Sequence, residues 1–295
     1  MNKIFTIMLI GLILTTFLSI IQPICFCEIN NVKIFYVGGV GQGNFSNLQY
    51  AINKSSNGDI IFIYNGVYNE NIYINKSIDL IGENRNNTII EGKKEFVTII
   101  INSSFVNISN LKIKNSLICG ILIENSTNCS IYHNLIDDNT YGINIFLSNN
   151  ISISYNTISN CSNIGLEIIK NRNLSNTFNC SENNIIYHNN FINNSKHAYD
   201  ECHNIWFYNK EGNYWDNYTG LDKNNDGIGD EPIRIIGNNN YDKYPLMIPY
   251  YGRIMYKEFY VDENTLYLML LISIIVVIIF IIPIAIYWRK KNLSK

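Results

Sequence analysis

Cys119-Gly120-Ile121-Leu122-Ile123, Tyr141-Gly142-Ile143-Asn144-Ile145 and Ile164-Gly165-Leu166-Glu167-Ile168 are one pattern written three times, at spacings of 22 and 23 residues. Between the copies, Asn128-Cys129-Ser130-Ile131 returns as Asn150-Ile151-Ser152-Ile153 after 22 residues. Asn134-Leu135-Ile136 returns as Asn156-Thr157-Ile158 after another 22. A related Tyr187-His188-Asn189-Asn190-Phe191-Ile192 follows an insertion around 171–182. A fixed period of this size is the mark of a repeat architecture. Inside each unit the apolar residues alternate at period two, as strands require. Ile121, Ile143 and Leu166 are expected to point inward, and Leu122, Asn144 and Glu167 outward. Proline is absent from 24 to 231, while Asn and Gly punctuate the units. Asn tolerates left-handed turns. Short strands joined by tight Asn turns describe a parallel β-solenoid with three strands per coil and coils stacked about 4.8 Å apart. Asn134 over Asn156 is then a ladder, each amide bonding the next. A β-sandwich predicts hairpin signals about every 8–12 residues and no such register, so it ranks below. Asn47-Leu48-Gln49-Tyr50-Ala51-Ile52 reads as a short helix placed to cap the first coil.

The two ends read differently. Residues 1–27 carry one early Lys (Lys3), then an uncharged apolar run, as in a secretory signal peptide. An uncleaved signal anchor is the alternative, and lipidation is disfavoured because Gln22-Pro23-Ile24-Cys25 is a poor lipobox. Residues 265–287 are almost wholly apolar, long enough for a transmembrane helix of about 20 residues. Trp288 and the basic residues Arg289, Lys290, Lys291 and Lys295 follow, which favours a cytoplasmic tail over 288–295. The expected order is signal peptide 1–27, β-helix 28–220, Asp/Gly-rich loop and C-terminal cap 221–248, juxtamembrane linker 249–264, span 265–287 and tail. The protein is thus expected at the cell membrane, single-pass, with its ectodomain outside.

Composition excludes some classes. The whole chain has 295 residues and a formal net charge of −2. Residues 28–264 hold 17 basic against 24 acidic residues, a net charge of −7. Such a surface does not bind nucleic acid through a basic face. Cys119, Cys129, Cys161, Cys180 and Cys202 fall in the exported part, an odd number in an oxidising place. No CxxC pair occurs, so zinc is disfavoured. One or two disulfides are expected, with the pairing left open. Fourteen Asn-x-Ser/Thr sequons lie in the same region and make it a candidate glycoprotein, although an Asn in a ladder could not be modified without unstacking.

Several stretches carry a family likeness. Asn47–Ile52, Gly58-Asp59, Gly66-Val67-Tyr68-Asn69-Glu70-Asn71-Ile72 and Asn75-Lys76-Ser77-Ile78-Asp79-Leu80-Ile81-Gly82 resemble the opening of right-handed parallel β-helix proteins of the pectin-lyase-like superfamily. Tyr187–Ile192, Gly212-Asn213-Tyr214-Trp215-Asp216, Asp226-Gly227-Ile228-Gly229-Asp230 and Tyr244-Pro245-Leu246 resemble NosD-type β-helix proteins, over about 34–247 in all. The resemblance implies a secreted or surface β-helix of the carbohydrate-binding and sugar-hydrolase type. The family's namesake is an accessory in copper-site maturation. Fold alone does not transfer function.

The sharpest local motif is Asp222-Lys223-Asn224-Asn225-Asp226-Gly227-Ile228-Gly229-Asp230. Oxygen side chains alternate, with Gly in sixth place, as in the first half of a calcium loop. Asp222, Asn224 and Asp226 are the candidate side-chain ligands, Ile228 a carbonyl ligand, and Asp230 a direct or water-mediated one. Ile233 stands where a bidentate Glu is expected, and Glu231 or Asp242 are the substitutes. A solvated Asx-rich turn is the competing reading. Copper is disfavoured. His133, His188, His197, His203, Met247 and Met255 are the available ligands, and no HxH or Met-rich cluster occurs. Asp137-Asp138 is the adjacent carboxylate pair inside the repeats, but strand neighbours face opposite sides. No catalytic residue is assigned. Tyr199, Trp206, Tyr208, Tyr214, Trp215 and Tyr218 gather near the end, as a sugar-stacking surface or, preferred here, a cap. The leading expectation is envelope recognition or structure, binding glycan or a surface protein along a solenoid of roughly eight coils, about 40 Å long. The alternatives are a NosD-like metal-handling accessory and a polysaccharide lyase or hydrolase.

Overall fold

The computed structural model describes residues 32–93, 96–171 and 180–250. The expected signal peptide, span, tail and the part of the expected linker beyond Tyr250 lie outside the described residues. Among the described residues, no helix is long and apolar enough to cross a membrane.

Three parallel sheets wrap one core. Sheet A takes Ile34–Val37, Ile60–Ile63, Asp79–Gly82, Asn107–Ser109, Ser130–Tyr132, Ser152–Ser154 and Ile185–Tyr187. Sheet B takes Gly66–Tyr68, Thr88–Glu91, Lys112–Lys114, Leu135–Asp137, Thr157–Ser159, Asn190–Ile192 and Tyr214–Trp215. Sheet C runs from Ile72–Ile74 through Ile99–Ile101, Cys119–Glu124, Tyr141–Phe146, Ile164–Ile169 and Lys196–Asp200 to Ile233–Gly237, where Asn240–Asp242 turns back antiparallel. The chain visits A, B and C in turn, so each strand lies beside the equivalent strand of the next coil. Six coils have a strand in all three sheets, and a seventh has strands in sheets B and C with an isolated bridge from Ile205 to Ile185 at sheet A. The expected eighth is a lone strand, Ile34–Val37. After it the chain enters a helix, α1 (Leu48–Lys54), instead of a sheet B strand.

Helix α1 begins because Asn47 caps it: its side chain accepts the Tyr50 N–H at 2.7 Å. Glu70 accepts the Leu48 and Gln49 N–H groups at 2.8 and 3.0 Å, satisfying two more open donors. Leu48, Ala51 and Ile52 are buried in the core, and the helix packs on Ile34–Val37 and Ile72–Ile74.

The repeat sets the register. Ile99, Ile121, Ile143 and Leu166 pair in one row of sheet C, and all are fully buried. Ile100, Leu122, Asn144, Glu167 and Tyr199 form the outward row beside it. Burying each Ile stabilises the fold by roughly 1.5–3 kcal/mol relative to exposure. The glycines between these rows are needed for close approach. A Cβ on Gly142 would stand 2.4 Å from the Gly165 carbonyl oxygen, and one on Gly165 would stand 2.7 Å from that of His197.

Corners repeat as faithfully as strands. Asn134, Asn156, Asn189 and Asn213 are stacked and buried at the corner from sheet A to sheet B. Each backbone N–H donates to the next side-chain oxygen, at 2.9, 3.0 and 3.1 Å in order along the stack. Each side-chain amide also donates to a core carbonyl: Ile108, Ile131, Ile153 and Ile186 in turn. So the pair expected at Asn134 and Asn156 is half of a four-rung ladder. Asp242 closes it, accepting from the Asn213 N–H at 2.7 Å and from the Trp215 indole at 2.9 Å.

Candidate functional site

Each corner has residues in the left-handed region. At the corner from B to C they are Asn115, Asp138, Asn160 and Asn193, short polar side chains that adopt it at little cost. At the corner from A to B the series runs Asn110, His133, Tyr155 and His188, with φ of 57°, 56°, 60° and 57°. Three successive rings there occupy a conformation that bulky residues rarely adopt.

Those rings form a stripe. His133 stacks on Tyr155 at 4.9 Å between centroids, Tyr155 meets His188 at 5.2 Å, and His188 stacks on Tyr250 at 4.1 Å. The first two spacings match one coil of about 4.8 Å. Tyr132, Tyr187 and Tyr208 widen the stripe from the sheet A side: Tyr187 lies 5.7 Å from Tyr155 and 5.2 Å from Tyr208. His133 and Tyr208 are exposed, Tyr132, Tyr155 and Tyr187 half-buried, and His188 buried. His188 Nε2 lies 2.8 Å from the Glu211 carboxylate. Burial, with the Arg85 charge adding to it, holds the His133 imidazole below its ordinary pKa. Burial also raises the Tyr155 phenol, helped by Tyr250 and Tyr187. The stripe is therefore a run of rings in mutual contact with polar rims, a surface that can meet both the C–H and the hydroxyl groups of a sugar.

The sequence reading missed this stripe. It looked for aromatics in the last coil, where the structure divides them. Trp206 and Trp215 are core, with Trp215 stacked on Phe191 at 4.4 Å. Tyr208 alone of that group joins the stripe. The available signal was Tyr155 standing one repeat after His133.

A second feature lies across sheet B. His197 occupies the register position that Gly120, Gly142 and Gly165 hold in the three preceding coils, and its ring reaches Phe191 and Trp215 at the edge of the core. Its Nε2 lies 2.8 Å from Asp216, whose other oxygen accepts the Asn193 N–H at 2.5 Å. Burial lowers the His197 pKa against the pull of Asp216. A pocket of ≈ 170 Å³ beside it is lined by Lys196, Arg234 and Asn217 among others.

The remaining candidates stand apart. His203 is on the far side of the last coil, with its ring 3.5 Å from the Asn238 amide. Among the described residues, no group of three or more His, Cys, Asp or Glu side chains is placed to hold a metal ion. Asp137 and Asp138 do not work as a pair. Asp137 accepts from Lys112, Ser159 and Asn160, while Asp138 is exposed at a left-handed corner. Burial pushes the Asp137 pKa up, but those three donors outweigh it and hold the carboxyl below its usual range.

The Asp222–Asp230 loop turns at Gly227, with φ of 81°. Asp222 accepts from the Asp226 and Gly227 N–H groups at 3.2 and 2.8 Å, and Asp226 accepts from Ile228 at 2.8 Å. Asn224 accepts from Asp226, and Asp230 accepts from Lys223. Each candidate oxygen thus holds the loop's own backbone, with lone pairs to spare for a hard cation. Asp242 is not available as a further ligand, because it is buried at the end of the ladder.

The five cysteines among the described residues resolve as one disulfide and three thiols. Cys180 and Cys202 are bonded, with Cα atoms 5.5 Å apart. Cys119, Cys129 and Cys161 are buried, and burial raises the pKa of each, that of Cys161 to about 12.

No family model and no curated protein matches the chain. Several solved structures are similar to part of it. An alginate lyase from Paenibacillus sp. str. FPU-7 is 16% identical with a TM-score of 0.47, over 57% of this chain and 60% of that one. Pectin methylesterase PemA from Erwinia chrysanthemi is 15% identical with a TM-score of 0.35, over 62% of this chain and 73% of that one. Pectin methylesterase from carrot is 16% identical with a TM-score of 0.36, over 56% and 63%. The chain spans 60% of the lyase and 63% of the carrot esterase. The strand pairings themselves establish the parallel β-solenoid. Likenesses this distant carry neither a superfamily nor an activity across.

Proposed function

We propose that the protein is a membrane-anchored envelope protein that binds saccharide along the corner between sheets A and B. One observation carries this reading: three successive left-handed corner positions hold rings, stacked one coil apart. Backbone strain kept at a run of equivalent sites is the usual company of a functional surface. The apolar segments at both ends of the sequence support the envelope placement. The test is binding of the full chain in detergent to a panel of polysaccharides. Tyr155→Asn keeps a residue suited to the left-handed position and removes the ring, and Tyr187→Ala removes a second ring. Each should weaken binding about tenfold, the scale of one aromatic contact worth roughly 1–1.5 kcal/mol. Unchanged binding in the double variant would overturn the reading.

Cleavage of a polysaccharide is the second reading, and the His197–Asp216 pair beside a basic pocket favours it. A carboxylate that orients an imidazole is a recurrent arrangement for proton transfer. Release of reducing or unsaturated sugar that His197→Gln abolishes would establish it. Calcium in the Asp222–Asp230 loop is proposed as a structural ion, held by Asp222, Asn224, Asp226, Ile228 and Asp230. No observation favours the copper reading.

A further inference from the structure

The asparagines of this chain fall into two populations. Eight are buried: Asn134, Asn156, Asn189 and Asn213 of the ladder, with Asn139, Asn184, Asn190 and Asn240. None of the eight lies in an Asn-x-Ser/Thr sequon. Conversely, none of the described sequon asparagines is buried. At the ladder the residue two after each Asn is a core residue, Ile136, Ile158, Phe191 and Trp215 in turn, so the sequons fall at other positions.

The solenoid then sorts the sequons in space. Asn75, Asn102, Asn125, Asn128 and Asn150 all lie at one corner, where sheet C hands over to sheet A of the next coil. Every coil from the first to the fourth contributes at least one. Asn125, Asn128 and Asn150 adopt φ of 49°, 55° and 56°, and all three are exposed. Asn102 donates its amide to Glu124 and Asn128 makes a long contact to Thr127. The side chains of Asn75, Asn125 and Asn150 have no hydrogen-bond partner among the described residues. The corner with the ring stripe is different: its positions from Asn110 to Asn209 include no sequon.

We propose that the sheet C to sheet A corner is an N-glycosylated ridge, with Asn75, Asn125 and Asn150 as acceptors. In the transfer, the Asn side-chain nitrogen bonds C1 of the first sugar. The bond from C1 to the phosphate oxygen of a lipid-linked oligosaccharide donor breaks, and the lipid phosphate leaves with the electron pair. One amide proton passes to a base of the transferring enzyme. The exposed corner accommodates the sugar without breaking a strand pairing or a ladder bond, which is why the acceptors lie there. The proposal is independent of saccharide binding by the stripe, and the two fail separately.

The test is peptide mass spectrometry of the full chain purified from the cells that make it. Peptides holding Asn75, Asn125 and Asn150 should carry hexose or N-acetylhexosamine mass increments, while those holding Asn134 and Asn156 carry none. Thr127→Ala should remove the sugar at Asn125 and leave that at Asn150, and Ser152→Ala should do the reverse. Unmodified peptides at all three acceptors, or sugar on a ladder asparagine, would overturn the proposal.

Discussion

Asn156→Ala tests the ladder at its middle. The Asn156 carbonyl oxygen accepts from the Asn134 backbone N–H at 2.9 Å and its amide at 3.1 Å. Its own amide donates to Ile131 O at 2.8 Å and to Asn189 at 3.0 Å. Truncation leaves the Asn134 N–H without its partner in a fully buried place and removes the side-chain donor from the Ile131 carbonyl, which stays within the sheet A ladder. Each orphaned buried group costs about 1–3 kcal/mol. With the lost side-chain bonds to Ile131 and Asn189 added, the expected loss is on the order of 3 kcal/mol. In a domain of this size that lowers Tm by roughly 6–12 °C. Asn150→Gly, at an exposed left-handed corner, is the control, since glycine adopts that conformation freely. It should shift Tm by no more than about 2 °C, because exposed substitutions of this kind stay within roughly 0.5 kcal/mol. The assay is thermal and urea unfolding followed by circular dichroism. A loss below about 1 kcal/mol for Asn156→Ala would refute the view that side-chain ladders hold the coils in register.

Asp200 and Asp242 give the stability a pH dependence. Burial pushes each up to about 6, against the N–H groups that donate to them. The unfolded value is about 3.9, so between roughly pH 4 and 6 the unfolded chain has ionised while the folded one still holds protons. Stability should therefore fall as pH rises through that window, by up to about 3 kcal/mol per carboxylate. An Asp200→Asn/Asp242→Asn double variant should flatten the slope, and an unchanged slope in unfolding titrations would exclude both groups. For the loop, Asp226→Ala should lower Tm more in calcium than in chelator, where the lost bond to Ile228 alone acts; equal shifts in both would leave it an Asx turn. Cys119, Cys129 and Cys161 should react with a thiol reagent only after unfolding, since burial raises their pKa values and closes access. Prompt labelling of the folded protein would contradict that placement.

Much of the fold was legible because a solenoid writes its geometry into a period. The return of Gly-Ile-x-Ile after 22 residues specifies which strand lies beside which, and alternation specifies which face is buried. Asn134 over Asn156 follows from the same arithmetic. The coil count was high because Ile34–Val37 forms a lone sheet A strand, followed by α1 and not by sheet B and sheet C strands of its own. The Cys180–Cys202 pairing was not legible. Their separation of 22 puts them one coil apart, but an insertion falls within the coil just before and obscures the register.

The candidate site divides in the same way. By itself the sequence determined the repeat, the inward and outward rows and the polar ladder, since each depends on spacing along the chain. Which residues meet at a corner was decided by the tertiary structure. His133, Tyr155 and His188 are separated by 22 and 33 residues, and only coil stacking puts their rings about 5 Å apart. His197 and Asp216 become a pair, and Asn75, Asn125 and Asn150 a row, for the same reason. A period fixes neighbours within a sheet; the turn of the backbone at each corner fixes what faces the solvent together.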